Sequence, residues 1–293
     1  AASFPRLDGS SAPITLHPGS GNWLLTSGQW FHETGYGNGS EERLLYRCET
    51  IGIDQIVHEL EGFFTLSHFH ADDGQITVIT DVIGSYHCFH REWPGVTAIS
   101  SSSLLLSSLG DEAIDPGALR EFLATGIIYE DRTLDKNVRK LGPAGKFIFR
   151  DGKLWSSSSY WPIRDISSRP LSNEDAVGAL QETLSEAGRK IFAVFQRPLC
   201  DLTGGYDSRV LLADLLRLKM PFSTVVTGSG DSPDVRISCG LANLVGLPHL
   251  HMNPEVVLSG AGIDDVLPLT DGEYDSIEYS RVSRVHTILS EKF

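Results

Sequence analysis

The second half of the sequence alternates short apolar runs with glycine-containing turns and helical patterns, and this alternation limits the folds open to it. A strand is predicted over residues 199–202, followed by a turn at 203–207 and an apolar helix over 208–218. A second strand is predicted over 222–227, and a further helix follows it. Strands separated by helices pair in parallel, so the sequence predicts a doubly wound, parallel α/β sheet.

Two further helices are predicted around these strands. Ser172 and Asp175 form an S-x-x-D sequence, which is typical of a helix N-terminus. Apolar residues then recur at steps of three and four, which predicts a long amphipathic helix. They are Val177, Leu180, Leu184, Ala187, Ile191 and Val194. The second helix is predicted to begin at Ser232-Pro233 and to end at Gly246.

The first half of the sequence is patterned as strands and hairpins. Apolar runs at 63–69 and 76–79 flank Asp72-Asp73-Gly74, and Asp-Gly supplies the positive φ that hairpin turns need. Residues 146–149 predict another strand, which Asp151-Gly152 turns back.

A capped helix and a linker complete the predicted organisation. Asp115-Pro116 suits a helix start, and Gly126 suits its end. Residues 161–173 are rich in serine and proline, which predicts a linker between a domain over 1–160 and a second domain over 174–293.

Composition limits the partners and the location. Lys and Arg number 24 and Asp and Glu number 38, so the net charge is −14, which disfavours nucleic-acid binding. No apolar stretch reaches the length that spans a bilayer, and no basic-then-apolar leader is evident, so we expect no membrane partner and a cytoplasmic protein. The four cysteines, Cys48, Cys88, Cys200 and Cys239, form no CxxC pair and are expected to be free thiols.

The strongest chemical signal is the loop Leu202-Thr203-Gly204-Gly205-Tyr206-Asp207-Ser208. Glycines let a backbone approach a ligand closely, and amides at a helix start attract anions. Thr203 and Ser208 add hydroxyls, and the Asp207 carboxylate suits a phosphate site if Mg²⁺ lies between. These features predict a pyrophosphate cradle, with an ordinary turn capped by Asp207 as the alternative. Neither the Walker G-K-[ST] nor the G-x-G-x-x-G fingerprint is present.

This loop resembles the S-G-G-x-D-S pyrophosphate loop of N-type ATP pyrophosphatases, with Thr203 in place of the usual serine. Residues 222–235, which contain Ser232-Pro233-Asp234, resemble the second strand and following helix of the asparagine synthetase and β-lactam synthetase family. Residues 242–249 resemble the end of that helix before the third strand of the family.

The resemblance implies roles for residues of the loop and of the second strand end. Asp207 and Ser208 would be catalytic, and Asp207 would also hold Mg²⁺. The residues implied to bind ATP are Leu202, Thr203, Gly204, Gly205, Thr227 and Gly228.

Motifs in the first half resemble the class II glutamine amidotransferase domain of the same family. Gly62-Phe63-Phe64 and Thr80-Asp81-Val82-Ile83-Gly84 resemble its G-x-F and R-D-x-x-G signatures, with Thr80 in place of arginine. Thr133-Leu134 and residues 141–145 resemble its T-L-F and L-x-P-G segments. The resemblance implies an antiparallel, sheet-rich sandwich of the N-terminal-nucleophile (Ntn) hydrolase type.

Two departures from the family pattern qualify this resemblance. The chain begins Ala1-Ala2-Ser3, Cys48 is internal, and Asn38-Gly39-Ser40 only echoes the glutamine-binding N-G-E, so the first domain is expected to be degenerate or to have lost its start. The family's downstream G-x-G-x-D-E segment does not follow before Phe293, so the second, Rossmann-like ATP pyrophosphatase domain is expected to be truncated.

Histidines and acids form three other candidate sets. His68, His70, His87, Cys88 and His90 would allow a zinc or copper site, with ordinary histidines as the alternative. His249 and His251 alternate along a third predicted strand, where a structural role is expected. An acidic stretch is expected to be a solvated face, with Asp271 or Glu273 facing the site as the alternative. It comprises Asp264, Asp265, Asp271, Glu273, Asp275 and Glu278.

The sequence therefore predicts a two-domain α/β and α+β protein that forms amides from a small-molecule carboxylate. ATP and Mg²⁺ would activate the carboxylate as an acyl-adenylate, and an amine would displace AMP. Ammonia as the amine would make the enzyme asparagine synthetase-like, and a substrate amine would make it lactam or macrolactam synthetase-like. A non-catalytic nucleotide-binding protein is the third alternative. A homodimer is one alternative for the oligomeric state.

Overall fold

The computed structural model describes residues 14–32, 40–111, 113–162, 168, 170–195, 197–255, 262–274 and 276–292. The chain divides into two compact units. The first comprises Ala1–Ser167 and Leu267–Asp275, and the second comprises Ser168–Val266 and Ser276–Phe293. Among the described residues, no helix is both long enough and apolar enough to cross a membrane.

Two antiparallel sheets form the first unit. The strands of the larger sheet are β1 (Thr15–Leu16), β2 (Trp23–Phe31), β3 (Glu61–His70), β4 (Gln75–Thr80), β8 (Gly145–Arg150) and β9 (Lys153–Ser159). They lie in the order β1-β2-β3-β4-β8-β9. The strands of the smaller sheet are β5 (Phe89–Trp93), β6 (Val96–Ser100) and β7 (Val138–Lys140), in the order β6-β5-β7.

Both predicted hairpins are confirmed. β3 and β4 pair with His70 opposite Gln75, which leaves a loop over residues 71–74 in which Gly74 has φ of 67°. β8 and β9 are joined by Asp151-Gly152, and both turn residues have positive φ. The turn chemistry thus sets the register of these strand pairs.

The α-helices described in the first unit include α1 (Ser40–Thr50), α2 (Ile53–Ile56), α3 (Ser103–Ser108) and α4 (Pro116–Thr125). α4 confirms its prediction, because Asp115 accepts hydrogen bonds from the Gly117 and Ala118 amides and Gly126 ends the helix with φ of 79°.

The core of the first unit contains three clusters of buried apolar side chains, each between two layers of secondary structure. Leu44, Leu45 and Ile56 of α1 and α2 pack on Phe64 and Leu66 of β3. The other face of the same sheet presents Val78 and Phe149 to Cys88 and Leu141. On the smaller sheet, Leu106 of α3 packs against Phe89 and Val138. The unit is therefore layered as helix, sheet, sheet and helix.

A buried carboxylate shapes the turn that follows β4. Asp81 is fully buried and accepts hydrogen bonds from the amides of Ile83 (3.1 Å), Ser85 (3.0 Å) and Tyr86 (2.9 Å). This one side chain therefore satisfies three backbone donors of the turn, and it obtains partners for its own buried oxygens.

Replacing Asp81 by asparagine should therefore destabilise the protein. The amide group keeps one oxygen acceptor but places N–H donors against backbone N–H groups, so we expect a loss of about 1–3 kcal/mol in the free energy of unfolding. Urea denaturation followed by circular dichroism measures this loss. The control is Asp72→Asn in the exposed β3–β4 turn, which should change stability by less than about 0.5 kcal/mol. Equal stability of both variants would contradict the structural role of Asp81.

The second unit is built on a parallel sheet. Its strands are β10 (Leu199–Asp201), β11 (Ser223–Thr227) and β12 (His249–Met252), in the order β10-β11-β12. The α-helices described after β9 are α5 (Asn173–Val194), α6 (Tyr206–Arg217), α7 (Pro233–Val245), α8 (Ile263–Thr270) and α9 (Ser276–Lys292). The last residues of α8, from Leu267 on, belong to the first unit. The chain therefore has an antiparallel, sheet-rich first region and a helical, parallel-sheet second region.

Apolar side chains cover both faces of the parallel sheet. On one side, Leu212 and Leu215 of α6 and Ala242 of α7 pack with Leu202 and Phe222. On the other side, Val225 and Met252 pack with Val285, Ile288 and Leu289 of α9. Burial on both faces is usual for parallel strands.

α5 begins as predicted but buries a different face. Ser172 is its N-cap and accepts a hydrogen bond from the Asp175 amide (3.1 Å). The predicted apolar stripe is mostly exposed, with Val177 at 65%, Leu180 at 59% and Ile191 at 40%.

The buried face of α5 is made of small residues. Gly188 is in contact range of Leu218, to which an added Cβ would lie 3.3 Å, and Ser185 donates a hydrogen bond to Asp214 of α6 (2.8 Å). Arg217 also donates to Asp214 (2.9 Å). Burial acts to raise the pKa of the Asp214 carboxyl, but the hydrogen bonds from Arg217 and Ser185, together with the charges of Arg217 and Arg189, outweigh it, so this pKa is lowered. Close approach and these polar contacts thus take the place of the predicted stripe, and Phe192 adds an apolar contact with the core around Leu212 and Leu215.

Candidate functional site

The loop Leu202–Ser208 lies at the carboxyl end of β10. Leu202 is buried in the core and donates its amide to the Val225 carbonyl (2.9 Å), which anchors the loop to the sheet. α6 begins at Tyr206, two residues before the predicted start, and Gly205 is its N-cap. Gly205, Tyr206 and Asp207 are exposed. Loops at this end of parallel strands are where α/β proteins bind ligands.

The hydroxyls of the loop hold its shape. The Thr203 amide donates to Ser208 Oγ (3.0 Å), and the Gly205 amide donates to Thr203 Oγ1 (3.1 Å). The two hydroxyl oxygens are 3.1 Å apart. Thr203 and Ser208, which the sequence predicts as ligand donors, are thus brought together as an internal brace.

The ordinary-turn alternative is wrong in one part, because Asp207 does not cap α6. No side chain caps this helix, and Asp207 stands exposed in its first turn. The Arg209 guanidinium lies over the Tyr206 ring, 4.6 Å from its centre, on the same exposed turn. A carboxylate in the first turn of a helix is favourably placed in the helix dipole field, and here it faces solvent.

Asp234 is a loop partner that sequence reasoning did not single out. The Gly204 amide donates to its Oδ1 atom (2.8 Å), although 30 residues separate the two. A Cβ on Gly204 would lie 2.9 Å from that oxygen and 3.0 Å from Ile237 Cδ1, so a larger residue would require these side chains to shift. The only signal was the resemblance of Ser232-Pro233-Asp234 to a family motif.

Thr227 and Gly228 end β11 at the same edge of the sheet. The Gly228 amide donates to the Met252 carbonyl (3.0 Å), and its carbonyl accepts from His251 Nε2 (2.7 Å). A Cβ on Gly228 would lie 2.9 Å from Val235 Cγ2, so glycine lets α7 begin close to the strand. Parallel pairing therefore brings the predicted ATP-binding segments to neighbouring strand ends.

The two histidines of β12 have structural partners. His251 holds the Gly228 carbonyl, and His249 Nδ1 lies 2.8 Å from Thr224 Oγ1. Burial, with a smaller effect of the neighbouring His251, lowers the pKa of His249. The structural role expected for both residues is confirmed, and His251 adds a contact to the end of β11.

The histidines of the first unit do not form the metal site that their spacing allowed. His68 and His70 share a face of β3 with ring centres 4.3 Å apart, and burial lowers the pKa of His68 to about 4. His87 precedes β5 and stacks on Tyr274, while His90 packs on Phe149. Within the described ranges, no group of three or more His, Cys, Asp or Glu side chains could hold a metal ion.

The solvated face expected of the acidic stretch is contradicted at Asp271 and Glu273. Asp271 accepts hydrogen bonds from the Ser102 hydroxyl and the Ser103 amide, both at 2.6 Å, at the start of α3. Glu273 is 3% exposed and pairs with Lys140 Nζ (3.1 Å); burial raises its pKa against the effect of that lysine. Both acids therefore have partners within the first unit.

Other predicted residues add little to a site. Glu278 is exposed and pairs with Arg281 (3.3 Å) in α9. The side chains of Asp264 and Asp265 lie outside the described part of the chain, as do Ala1-Ala2-Ser3, Asn38-Gly39 and Asp275.

A cavity of about 250 Å³ lies inside the first unit, between its two sheets. Uncharged groups line it, among them the hydroxyls of Ser27, Thr65, Ser67 and Thr97, and Cys88. Burial raises the pKa of the Cys88 thiol to about 12, although the Thr65 hydroxyl acts against this rise. Cys88 is therefore a thiol and not a thiolate at neutral pH.

Residues 32–161 match the family model of a glutamine amidotransferase domain. This part of the chain is similar to such a domain. The match includes the Gly62-Phe63-Phe64 and Thr80–Gly84 motifs, so the amidotransferase-like character that they predict is confirmed. No curated protein matches the chain.

The cysteines of the amidotransferase-like region lack the environment of a nucleophile. Burial raises the pKa of Cys48 to about 12, despite the nearby Arg47, and the pKa of Cys88 is equally high. A reactive cysteine needs a lowered pKa and access to solvent, and both of these thiols are buried in the core.

We therefore expect Cys48 and Cys88 to resist thiol reagents in the native protein. At pH 8 a pKa near 12 leaves about one thiolate in ten thousand, so alkylation should be about a thousandfold slower than for an ordinary cysteine. Timed iodoacetamide labelling followed by peptide mass spectrometry measures each site. Cys239, half-exposed in α7, is the internal control. If Cys88 is labelled in the native protein as fast as Cys239, the prediction that Cys88 is an unreactive thiol is wrong.

Proposed function

We propose that the chain belongs to an ATP-dependent ligase that forms amides through an acyl-adenylate. One observation carries the proposal: the glycine loop after β10 and the Gly228 segment after β11 lie at neighbouring ends of parallel strands. The amidotransferase-like region in the same chain supports it, since such a region supplies or accompanies an amide-forming step. The helix–sheet–sheet–helix layering supports an Ntn-type sandwich for that region.

The loop residues would bind the outer phosphates of ATP. Gly204 and Gly205 allow close approach to main-chain amides at the start of α6, where the helix dipole favours anions. Thr203 and Ser208 would keep the loop in shape through their mutual hydrogen bonds. Thr227 and Gly228 would lie against the nucleobase, with the Gly228 amide and carbonyl held in place by the Met252 carbonyl and His251 Nε2.

The proposed reaction has two displacements. In the first, a carboxylate oxygen attacks the α-phosphorus, the bond to the bridging oxygen breaks, and pyrophosphate leaves with that electron pair. In the second, an amine nitrogen attacks the acyl carbon, the bond to the AMP oxygen breaks, and the nitrogen loses a proton. Fixed donors aimed at the leaving pyrophosphate would lower the barrier of the first step.

Asp207 is the residue that would hold Mg²⁺. Its exposed carboxylate is the hard oxygen ligand that this ion prefers, and Mg²⁺ commonly takes one or two carboxylates together with substrate phosphates. The bound ion would offset the charge that develops on pyrophosphate.

The proposal has two versions, which differ in the amine that attacks the acyl-adenylate. Ammonia would make the enzyme asparagine synthetase-like, and a substrate amine would make it lactam or macrolactam synthetase-like. Cys48 and Cys88 are both buried thiols with a pKa of about 12, so neither would release ammonia from glutamine. This favours an amine that is not released from glutamine by Cys48 or Cys88.

Binding of Mg²⁺·ATP, measured by isothermal titration calorimetry, tests the proposal. Asp207→Ala should weaken binding at least about tenfold, because a ligand of the ion is lost. Gly205→Val should weaken it further, since a side chain would crowd the loop amides. The control is Glu174→Ala, which removes an exposed acid from the first turn of another helix, α5, and should leave binding unchanged.

Carboxylate-dependent exchange of labelled pyrophosphate into ATP tests the chemistry. Aspartate and a panel of other amino-acid carboxylates should include a substrate that supports exchange. Absence of nucleotide binding by the folded wild-type protein would reject the proposal. Binding without exchange for any carboxylate would favour a non-catalytic nucleotide-binding protein instead.

A further inference from the structure

The loop amide of Gly204 is held by a negative charge. Its N–H group donates to Asp234 Oδ1 at 2.8 Å, while the amides of Thr203 and Gly205 donate to neutral hydroxyls of the loop itself. Asp234 is therefore the one anionic group bonded to the described amides of residues 203–205.

The contact joins two segments that are distant in the chain. Asp234 lies in the first turn of α7, two residues after the N-cap Ser232, and Gly204 lies after β10. Parallel pairing of β10 with β11 brings these loops together. Asp234 is exposed, so its side chain can move into solvent at little cost in packing.

A carboxylate and a phosphate compete for such an amide. One N–H group makes one strong hydrogen bond, and two anions at the same donor repel each other. The absence of a Cβ on Gly204 leaves the amide open on one side, where Asp234 Oδ1 now lies 2.9 Å from the Cβ position. A phosphate oxygen that reached this amide would have to displace the carboxylate.

We propose that Asp234 is an autoinhibitory group that occupies the Gly204 amide until pyrophosphate, free or as part of ATP, displaces it. This inference rests on the proposed function of the loop. Asp234 thereby lowers the affinity of the loop for phosphates, and it makes release of the pyrophosphate product easier, because the carboxylate returns to the vacated amide.

Binding of pyrophosphate tests this inference. Asp234→Ala should bind pyrophosphate about three- to tenfold more tightly than the wild type, because no internal hydrogen bond must be broken. Asp234→Asn keeps an oxygen acceptor without the charge and should lie between them; it also preserves side-chain volume if alanine disturbs folding. The control, Asp231→Asn, removes an exposed carboxylate that bonds to Ser229 and should bind as the wild type does.

Calorimetric titrations of pyrophosphate with and without Mg²⁺ distinguish two roles for Asp234, which are to occupy the Gly204 amide or to help hold the ion. Tighter binding by the alanine variant under both conditions supports the inference. Weaker binding only with Mg²⁺ would mean that Asp234 helps to hold the ion, and it would overturn the inference. Equal binding by the wild type and both Asp234 variants would also overturn it.

A measurement without ligand separates this inference from the proposed function. With ¹⁵N-glycine and ¹³C′-threonine labelling, the Gly204 amide resonance can be selected as one of the Thr–Gly pairs. Asp234→Ala should shift this resonance and speed its hydrogen exchange, and Asp231→Asn should do neither. If this change is seen but no form of the protein binds pyrophosphate, the proposed function and the autoinhibition fail together while the contact stands. If wild type binds and the resonance does not move, the autoinhibition alone fails.

Discussion

Parallel pairing of β10 with β11 is the constraint on which the candidate site depends. It places Thr203–Ser208 beside the segment that runs from Gly228 to Asp234, although these loops are far apart in sequence. Main-chain amides, a helix start and two carboxylates then share one edge of a sheet. Without this pairing, each loop would be an ordinary turn, because neither alone collects enough donors for a polyphosphate.

Glycine serves two different purposes in this chain. At Gly204 and Gly228 a Cβ would lie within 3.0 Å of α7 atoms, so glycine permits close packing. At Gly74 and Gly126 the backbone has positive φ, so glycine permits a turn or a helix end. Only the second use follows from local sequence rules, since the first depends on a neighbour that the sequence does not specify.

Buried and half-buried acids hold several segments of the first unit together. Asp81 holds three amides, Asp271 holds the start of α3, and Glu273 pairs with Lys140. In sequence, the last two belong to an acidic run whose expected position was in solvent. Whether an acid can be buried depends on the partners that it finds. Ser102, the partner of Asp271, and Lys140, the partner of Glu273, each lie more than 100 residues away in the sequence. Sequence patterns could not predict that outcome.

The sequence by itself determined the local elements: the hairpin turns, the Asp115 and Ser172 caps, and the alternation that makes the second sheet parallel. These follow from backbone preferences and periodicity within a few residues. The tertiary structure alone decided which face of α5 is buried, that Thr203 and Ser208 brace each other, and that Asp234 occupies the Gly204 amide. These depend on contacts between segments brought together by strand pairing and close helix packing, which no local pattern encodes.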